Sequence, residues 1–259
     1  MRQFLYFITL FSFFLAGVFE VQANQNRPTG LPDEAQFNSK YKVWISRSND
    51  AEIVFYSDGN KKSQGGLSQN QRNGHWVFYF ANGQKKAEGI YNLGKMENNW
   101  KFYYSSGKLE SEGEYKNNAK SGPWTVYFGS GQKKSEGEYT GGLKSGTWTE
   151  YYESGKVFYK GQFVAGMAHG AWSYNFDDGS FYQAGRYSED VKVGVWKICI
   201  APGGPCGEQN HEQDKPPKVS GLPKETSKES SKETGKATDP YSILDSPAPD
   251  EHPSSWDKY

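Results

Sequence analysis

The chain has 259 residues, with 30 basic and 30 acidic side chains, so its formal net charge is zero and it carries no electrostatic footprint for nucleic acid. Hydrophobic residues make up only 35% of it while aromatics reach 16%, which suits a thin sheet held by aromatic stripes rather than a thick core.

Residues 1–23 read as a secretory signal peptide: Arg2 gives the positive start, Phe4 to Phe19 the apolar core, and Val21-Gln22-Ala23 a small-residue cleavage pattern before Asn24. An uncleaved anchor is the alternative, although the apolar core is short for a span. Residues 24–40, with Pro28, Gly30 and Pro32, read as a linker. Tyr41 to Ser46 alternates like a strand and is expected to pair with Ile53–Tyr56, closing an otherwise open sheet edge.

From Glu52 onward the chain is periodic. Trp76, Trp100, Trp124, Trp148, Trp172 and Trp196 are each 24 residues apart. A fixed period of this size signals a repeat architecture, each unit being one small element that cannot bury its apolar face alone. Gly83, Gly107, Gly131, Gly155 and Gly179 follow the first five tryptophans by seven residues, and Gly89, Gly113, Gly137, Gly161 and Gly185 by thirteen. A degenerate unit precedes them, with Glu52 in the tryptophan slot but Tyr56, Gly59 and Gly65 in place; it marks a fraying or capping first unit.

Each unit reads as a hairpin turning at its first glycine. Asn82-Gly83 between alternating aromatics is the signature of a two-residue type I′ turn. Counting outward, Phe80 faces Lys85, Phe78 faces Ala87 and Trp76 faces Gly89, and each later tryptophan likewise faces a glycine of its own hairpin. That glycine leaves room for the ring over bare backbone. A second turn at Asn70, Gly94, Asn118, Gly142, Gly166 and Asp190 links the units. Two turns per unit predict an all-β fold, an elongated single-layer antiparallel meander of about twelve strands on the order of 60 Å long.

The run Ser135-Glu136-Gly137-Glu138-Tyr139-Thr140-Gly141-Gly142-Leu143-Lys144-Ser145-Gly146-Thr147-Trp148 resembles the MORN repeat, and more closely its bacterial variant form, the YwqK-family antitoxin-like repeat. The resemblance recurs in every unit and implies an interaction scaffold. Asn98 departs from it where other units have Gly122, Gly146, Gly170 and Gly194, and asparagine can keep the same turn.

After Trp196 a seventh unit begins and does not complete. The repeat domain is read as 41–206, ending in a terminal hairpin clamped by a disulfide between Cys199 and Cys206. A metal or redox pair is the rival reading, with six intervening residues fitting neither a CxxC motif nor a zinc knuckle. Residues 207–259, rich in Lys, Glu, Ser and Thr, read as a disordered low-complexity tail. Tyr241, Ile243 and Leu244 are either a docking peptide or scattered apolar residues in that tail.

Parity separates two faces of the sheet. The tryptophan face is read as structural, with a ligand stripe as the alternative. Tyr79, Tyr103, Tyr127 and Tyr151, with Glu88, Glu112 and Glu136, lie on the other face, which is either a partner-binding surface or an ordinary solvated one. No nucleophile motif, metal cluster or phosphate-cradling loop stands out, so no catalytic residue and no cofactor is expected. The expectation is a non-enzymatic, exported scaffold with a protein partner. An exported cell-wall or carbohydrate-binding repeat protein is the alternative, with possible envelope contact, and an enzyme is a distant third.

Overall fold

The structure, a computed structural model, describes residues 27–211; the signal peptide, the Ala23–Asn24 junction and the tail beyond residue 211 lie outside the described residues. Sixteen strands form one antiparallel sheet in strict sequence order. They are β1 (Gln36–Asn38), β2 (Val43–Arg47), β3 (Ala51–Phe55), β4 (Lys61–Ser68), β5 (Gln71–Tyr79), β6 (Lys85–Asn92), β7 (Lys95–Tyr103) and β8 (Leu109–Lys116), followed by β9 (Ala119–Tyr127), β10 (Lys133–Thr140), β11 (Leu143–Tyr151), β12 (Val157–Val164), β13 (Met167–Asn175), β14 (Phe181–Ser188), β15 (Val191–Cys199) and β16 (Cys206–Asn210). The twelve expected strands are β3 to β14, two per unit.

The type I′ turns lie between the units, not within them as the sequence reading had it, while the inter-unit turns do fall at the expected residues. Within a unit, the Gly83 N–H donates to the Phe80 carbonyl at 2.9 Å and the Phe80 N–H to the Gln84 carbonyl at 2.9 Å, enclosing a three-residue loop. Of its residues only Gly83 is left-handed, at φ 83°, which makes it a type I turn followed by a glycine bulge. Phe80 therefore closes on Gln84, not Lys85, and Tyr79 pairs with Lys85. A one-residue shift at Lys86 then restores Phe78↔Ala87 and Trp76↔Gly89. Between units, both central residues are left-handed: Leu93 at 44° with Gly94 at 79°, Asn117 at 52° with Asn118 at 68°, Ala165 at 51° with Gly166 at 83°. These are the type I′ turns. Each sits on the unit before it, with the Gly94 N–H donating to the Arg72 carbonyl at 2.8 Å and the Gly166 N–H to the Lys144 carbonyl at 2.9 Å. Asn118 adds a second bond, its Oδ1 accepting from the Met96 N–H at 2.7 Å, which explains Asn and Asp in this slot.

Two residues before each tryptophan, Gly74, Asn98, Gly122, Gly146, Gly170 and Gly194 all have φ between 58° and 76°. Asn98 does hold the conformation of its glycine counterparts. The position is a bulge within a strand, however, not a turn: β9 carries two extra residues, Gly122 and Pro123, between its pairs Ser121↔Glu114 and Trp124↔Gly113.

The ends differ from expectation. The stretch read as a linker contains β1, which pairs with β2, so the N-terminal edge is β1 rather than the strand at 41–46. Leu31 and Ala35 are buried against Trp44 and Phe55, an apolar contact too aperiodic to read from sequence. The expected pairing of β2 with β3 is present. At the other end the seventh unit forms a second strand, β16, although Gln209 stands where the earlier units have glycine. β16 places Gln209 opposite Trp196, the offset that the other hairpins have at their tryptophan, but runs to Cys199↔Cys206 without their one-residue shift beside the turn, so the sheet extends through Asn210 rather than stopping at Cys206.

Candidate functional site

The six tryptophans form the structural spine. Each is buried, and its indole does not lie over the glycine of its own hairpin. An added Cβ at Gly137 would fall inside the ring of Trp148, not Trp124; one at Gly113 would meet Trp124, and one at Gly185 would meet Trp196. Backbone pairing across the hairpin is as counted, yet the ring leans the other way, onto the glycine of the preceding unit. The bulge is the cause. It frees a carbonyl ten residues before each tryptophan, and the indole N–H takes it: Trp76 on Gly66 at 2.8 Å, Trp124 on Glu114 at 3.0 Å, Trp148 on Glu138 at 3.0 Å.

Other groups enclose the ring. Tyr91, Tyr115, Tyr139, Phe163 and Tyr187 stand edge-on to the next tryptophan at centroid distances of 5.0 to 5.3 Å. Four residues before the tryptophan, Arg72, Lys120, Lys144 and Lys192 place a cation 4.3 to 4.6 Å from the ring centroid of Trp76, Trp124, Trp148 and Trp196. These cations recur at a fixed spacing and were legible in the sequence, but only once the ring direction is known. Burial also lowers the Lys192 pKa.

The opposite face carries a ladder. The Tyr103 hydroxyl donates to Glu88 Oε1 at 2.5 Å, Tyr127 to Glu112 at 3.0 Å and Tyr151 to Glu136 at 2.6 Å. Lys85 and Lys133 hold the second oxygens of Glu88 and Glu136 at 2.9 and 2.8 Å. Three of the four expected tyrosines are thus joined to the three expected glutamates. Tyr79 is not, because its cross-strand place is taken by Gln64, 24 residues before Glu88. Electrostatics follow this pairing. The Lys133 and Tyr151 hydrogen bonds hold the Glu136 carboxyl below its ordinary value. Burial pulls Glu88 upward, but bonds from Tyr103 and Lys85 outweigh it and leave it lowered. Burial, then the bond to Glu136, pushes Tyr151 up to about 12. The rings of Tyr103, Tyr127 and Tyr151 remain half-buried, at a fixed unit spacing.

Comparison with known proteins gives these hairpins a type. Residues 72–93, 96–117 and 144–165 match the family described as MORN repeat variant. These three units are similar to MORN repeat variants. Each match starts at the residue four before a tryptophan and ends on the first left-handed residue of the inter-unit turn, so a MORN-variant unit here is one hairpin plus its link to the next. No curated protein matches the chain. Among solved structures it is similar to accessory secretory protein 1, 2 and 3 of Streptococcus pneumoniae, at 11% identity over 43% of this chain and 23% of that one, TM-score 0.28. It is also similar to a GtfA/B complex bound to UDP and GlcNAc, at 12% identity over 51% of this chain and 26% of that one, TM-score 0.22. The chain spans about a quarter of the length of either.

The units are not identical at their turns. Leu143, Val164 and Met167 are exposed along one stretch of the inter-unit turn edge, where the first two tryptophan-bearing units have polar Gln71, Lys95, Asn92 and Lys116. Leu143 and Val164, with Phe163 and Ala165, border a shallow groove that the sequence reading did not single out. At the C-terminal end Cys199 and Cys206 are bonded, as the terminal-hairpin reading expected.

Proposed function

We propose that the chain is a non-enzymatic, exported scaffold that binds a protein partner through the Tyr103–Tyr127–Tyr151 face. The observation that carries this reading is the ladder itself. Three half-exposed tyrosines stand one unit apart on one face, each pinned by a cross-strand glutamate. Aromatic rings fixed in advance supply contact area with little further loss of rotamer freedom on binding, which is why such rings dominate protein interfaces. Export is supported by the disulfide, since such bonds persist in oxidising compartments. The scaffold reading also fits an open sheet whose groove is shallow, because catalysis favours deep, water-excluding sites.

The carbohydrate-binding alternative needs free aromatic faces. The six repeat tryptophans supply none: each indole is buried, with one side on glycine backbone and a tyrosine or phenylalanine ring roughly at right angles to it. A pull-down with the full mature chain, on envelope proteins and in parallel on purified cell wall, tests the choice. The expected result is a protein captured by the wild type and lost on Tyr103→Ala/Tyr127→Ala/Tyr151→Ala, with the melting transition of the variant retained. Capture that survives all three substitutions removes the tyrosine face from the reading. Retention on cell wall alone favours the carbohydrate alternative.

A further inference from the structure

The turns between units form one edge of the sheet, and the residue after each turn makes a ridge along it: Gln71, Lys95, Ala119, Leu143, Met167 and Val191. The ridge is polar for two units and apolar for four. Packing does not demand the change. Leu143 leans on the following turn, its side chain 3.5 Å from where a Cβ on Gly166 would stand, and Gln71 makes the same contact with Gly94 at 3.6 Å. Leu143 and Val164 nevertheless keep 52% and 57% of their surface open to solvent, and Met167 keeps 39%. Three apolar side chains exposed together on one pair of turns make a patch of the kind that marks a contact. The groove beside them adds Phe163 and Ala165, and its two hydroxyls, on Thr140 and Ser145, bond each other at 3.0 Å, so it offers an apolar seat.

We propose that this groove seats a segment of the same chain, Tyr241-Ser242-Ile243-Leu244. Beyond residue 211, Tyr241, Ile243 and Leu244 are the most closely set large apolar residues, with Asp239 and Asp245 on either side. The chain also leaves the sheet in the right place. The His211 N–H donates to the Gly194 carbonyl at 2.9 Å, near the start of β15, so the path out of β16 opens on the inter-unit turn edge. From β16 to β12 is four strand spacings, about 19 Å. Thirty residues separate His211 from Tyr241, and a coil of that length spans about 30 Å end to end. By the same strand spacing Gln71 and Lys95 lie about 40–55 Å from β16, whereas the four apolar ridge positions lie within about 35 Å. The ridge turns apolar over the stretch that the tail reaches most readily. Tethering holds the segment at an effective concentration of about millimolar order, so a short apolar contact suffices. No residue of the tyrosine ladder takes part, which makes this inference independent of the partner-binding reading.

Photocrosslinking in the full mature chain tests the seat. With p-benzoylphenylalanine in place of Tyr241, cross-links should map by mass spectrometry to Leu143, Val164 or Met167. A mixture of light and isotopically heavy chains separates contacts within one molecule from contacts between two. Leu143→Lys with Val164→Lys should abolish these cross-links and leave the melting transition in place, because earlier units carry Lys95 and Lys116 at the same positions. Ile243→Ser with Leu244→Ser leaves the sheet untouched; it should likewise remove the cross-links and should shift the methyl resonances of Leu143, Val164 and Met167. Cross-links found only between chains would give the groove to a second copy and overturn the proposal. So would cross-links that miss the groove or persist in Leu143→Lys/Val164→Lys, and so would methyl resonances indifferent to Ile243→Ser/Leu244→Ser.

Discussion

Gly137 is paired with one tryptophan and roofed by another. Across its own hairpin it faces Trp124, while the ring that fills the space above it belongs to Trp148. Gly137→Val should therefore cost at least about 1–3 kcal/mol by overpacking, although valine is the better strand former. Trp148→Ala should cost about 3–5 kcal/mol. In urea titrations the double mutant should cost clearly less than the sum of its parts, whereas Gly137→Val with Trp124→Ala should come closer to additive. Stronger coupling to Trp124 would reverse the ring assignment. Spacing alone revealed that glycine and tryptophan belong together, because period and register are both countable. It did not reveal which ring lies on which glycine, because side-chain torsions leave no mark on spacing. The same holds for the tyrosine ladder, where parity placed the residues on one face and only coordinates show who bonds whom. That ladder has a pH signature. Glu136 has a folded pKa below its ordinary 4.5, so its stabilising contribution is complete above that value and is lost as pH falls through the lowered one. Acid melts of the wild type and Glu136→Gln should converge as pH drops below 4.5. A gap that stays constant would mean the carboxylate contributes nothing to the fold. At the alkaline end the Tyr151 hydroxyl, raised to about 12, keeps its bond intact up to its ordinary 10 and surrenders that stabilisation as pH climbs toward 12.

Turns are where the sequence reading erred most usefully. Asn82-Gly83 has the composition of a type I′ turn, yet the loop it closes has three residues, and serine replaces asparagine in three sister units where a left-handed conformation would be poor. The true type I′ turns include Leu93 at φ 44° and Ala165 at φ 51°, residues with no composition cue for that region. They tolerate it because stacking on the preceding unit supplies the N–H bonds already described. The strain should be recoverable. A left-handed alanine costs about 1–2 kcal/mol, against about 0.5–1 kcal/mol for the extra freedom of glycine in the unfolded chain. Ala165→Gly should thus raise the melting midpoint modestly, and Gly83→Ala, at φ 83°, should lower it. An Ala165→Gly variant less stable than wild type would show that the methyl group packs to more effect than the backbone strains.

At the scale of the molecule, contacts run between neighbouring strands and between one unit and the next, as in Phe78 on Trp100 and the Tyr104 hydroxyl on the Tyr127 carbonyl, so whole periods are interchangeable in principle. Deleting residues 117–140 removes one period and joins Lys116 to Gly141, the equivalent of Asn117. That variant should keep its sheet by circular dichroism and melt cooperatively. Deleting 117–128 splices a strand end into a hairpin loop and should not. If the two deletions behave alike, the units are not modular. The proposal of export makes a separate demand: mass spectrometry should find a mature chain starting near Asn24 with Cys199 and Cys206 resistant to alkylation until reduced. The interior of the array was legible because its pattern repeats. Its ends were not, since Leu31, Ala35 and β16 each occur once and offered no second copy to compare.

The offset between ring and glycine gives the array a direction. Each unit builds half of the socket for its successor, and the two boundary units show it: Glu52 stands where no earlier glycine could seat an indole, and Gln209 where no later indole needs a seat. A nascent chain emerging from its N-terminus meets every socket in working order. By the time Trp148 leaves the ribosome, Gly137 and the Glu138 carbonyl are already out and waiting, so synthesis and assembly can advance along the ribbon in step, one period at a time.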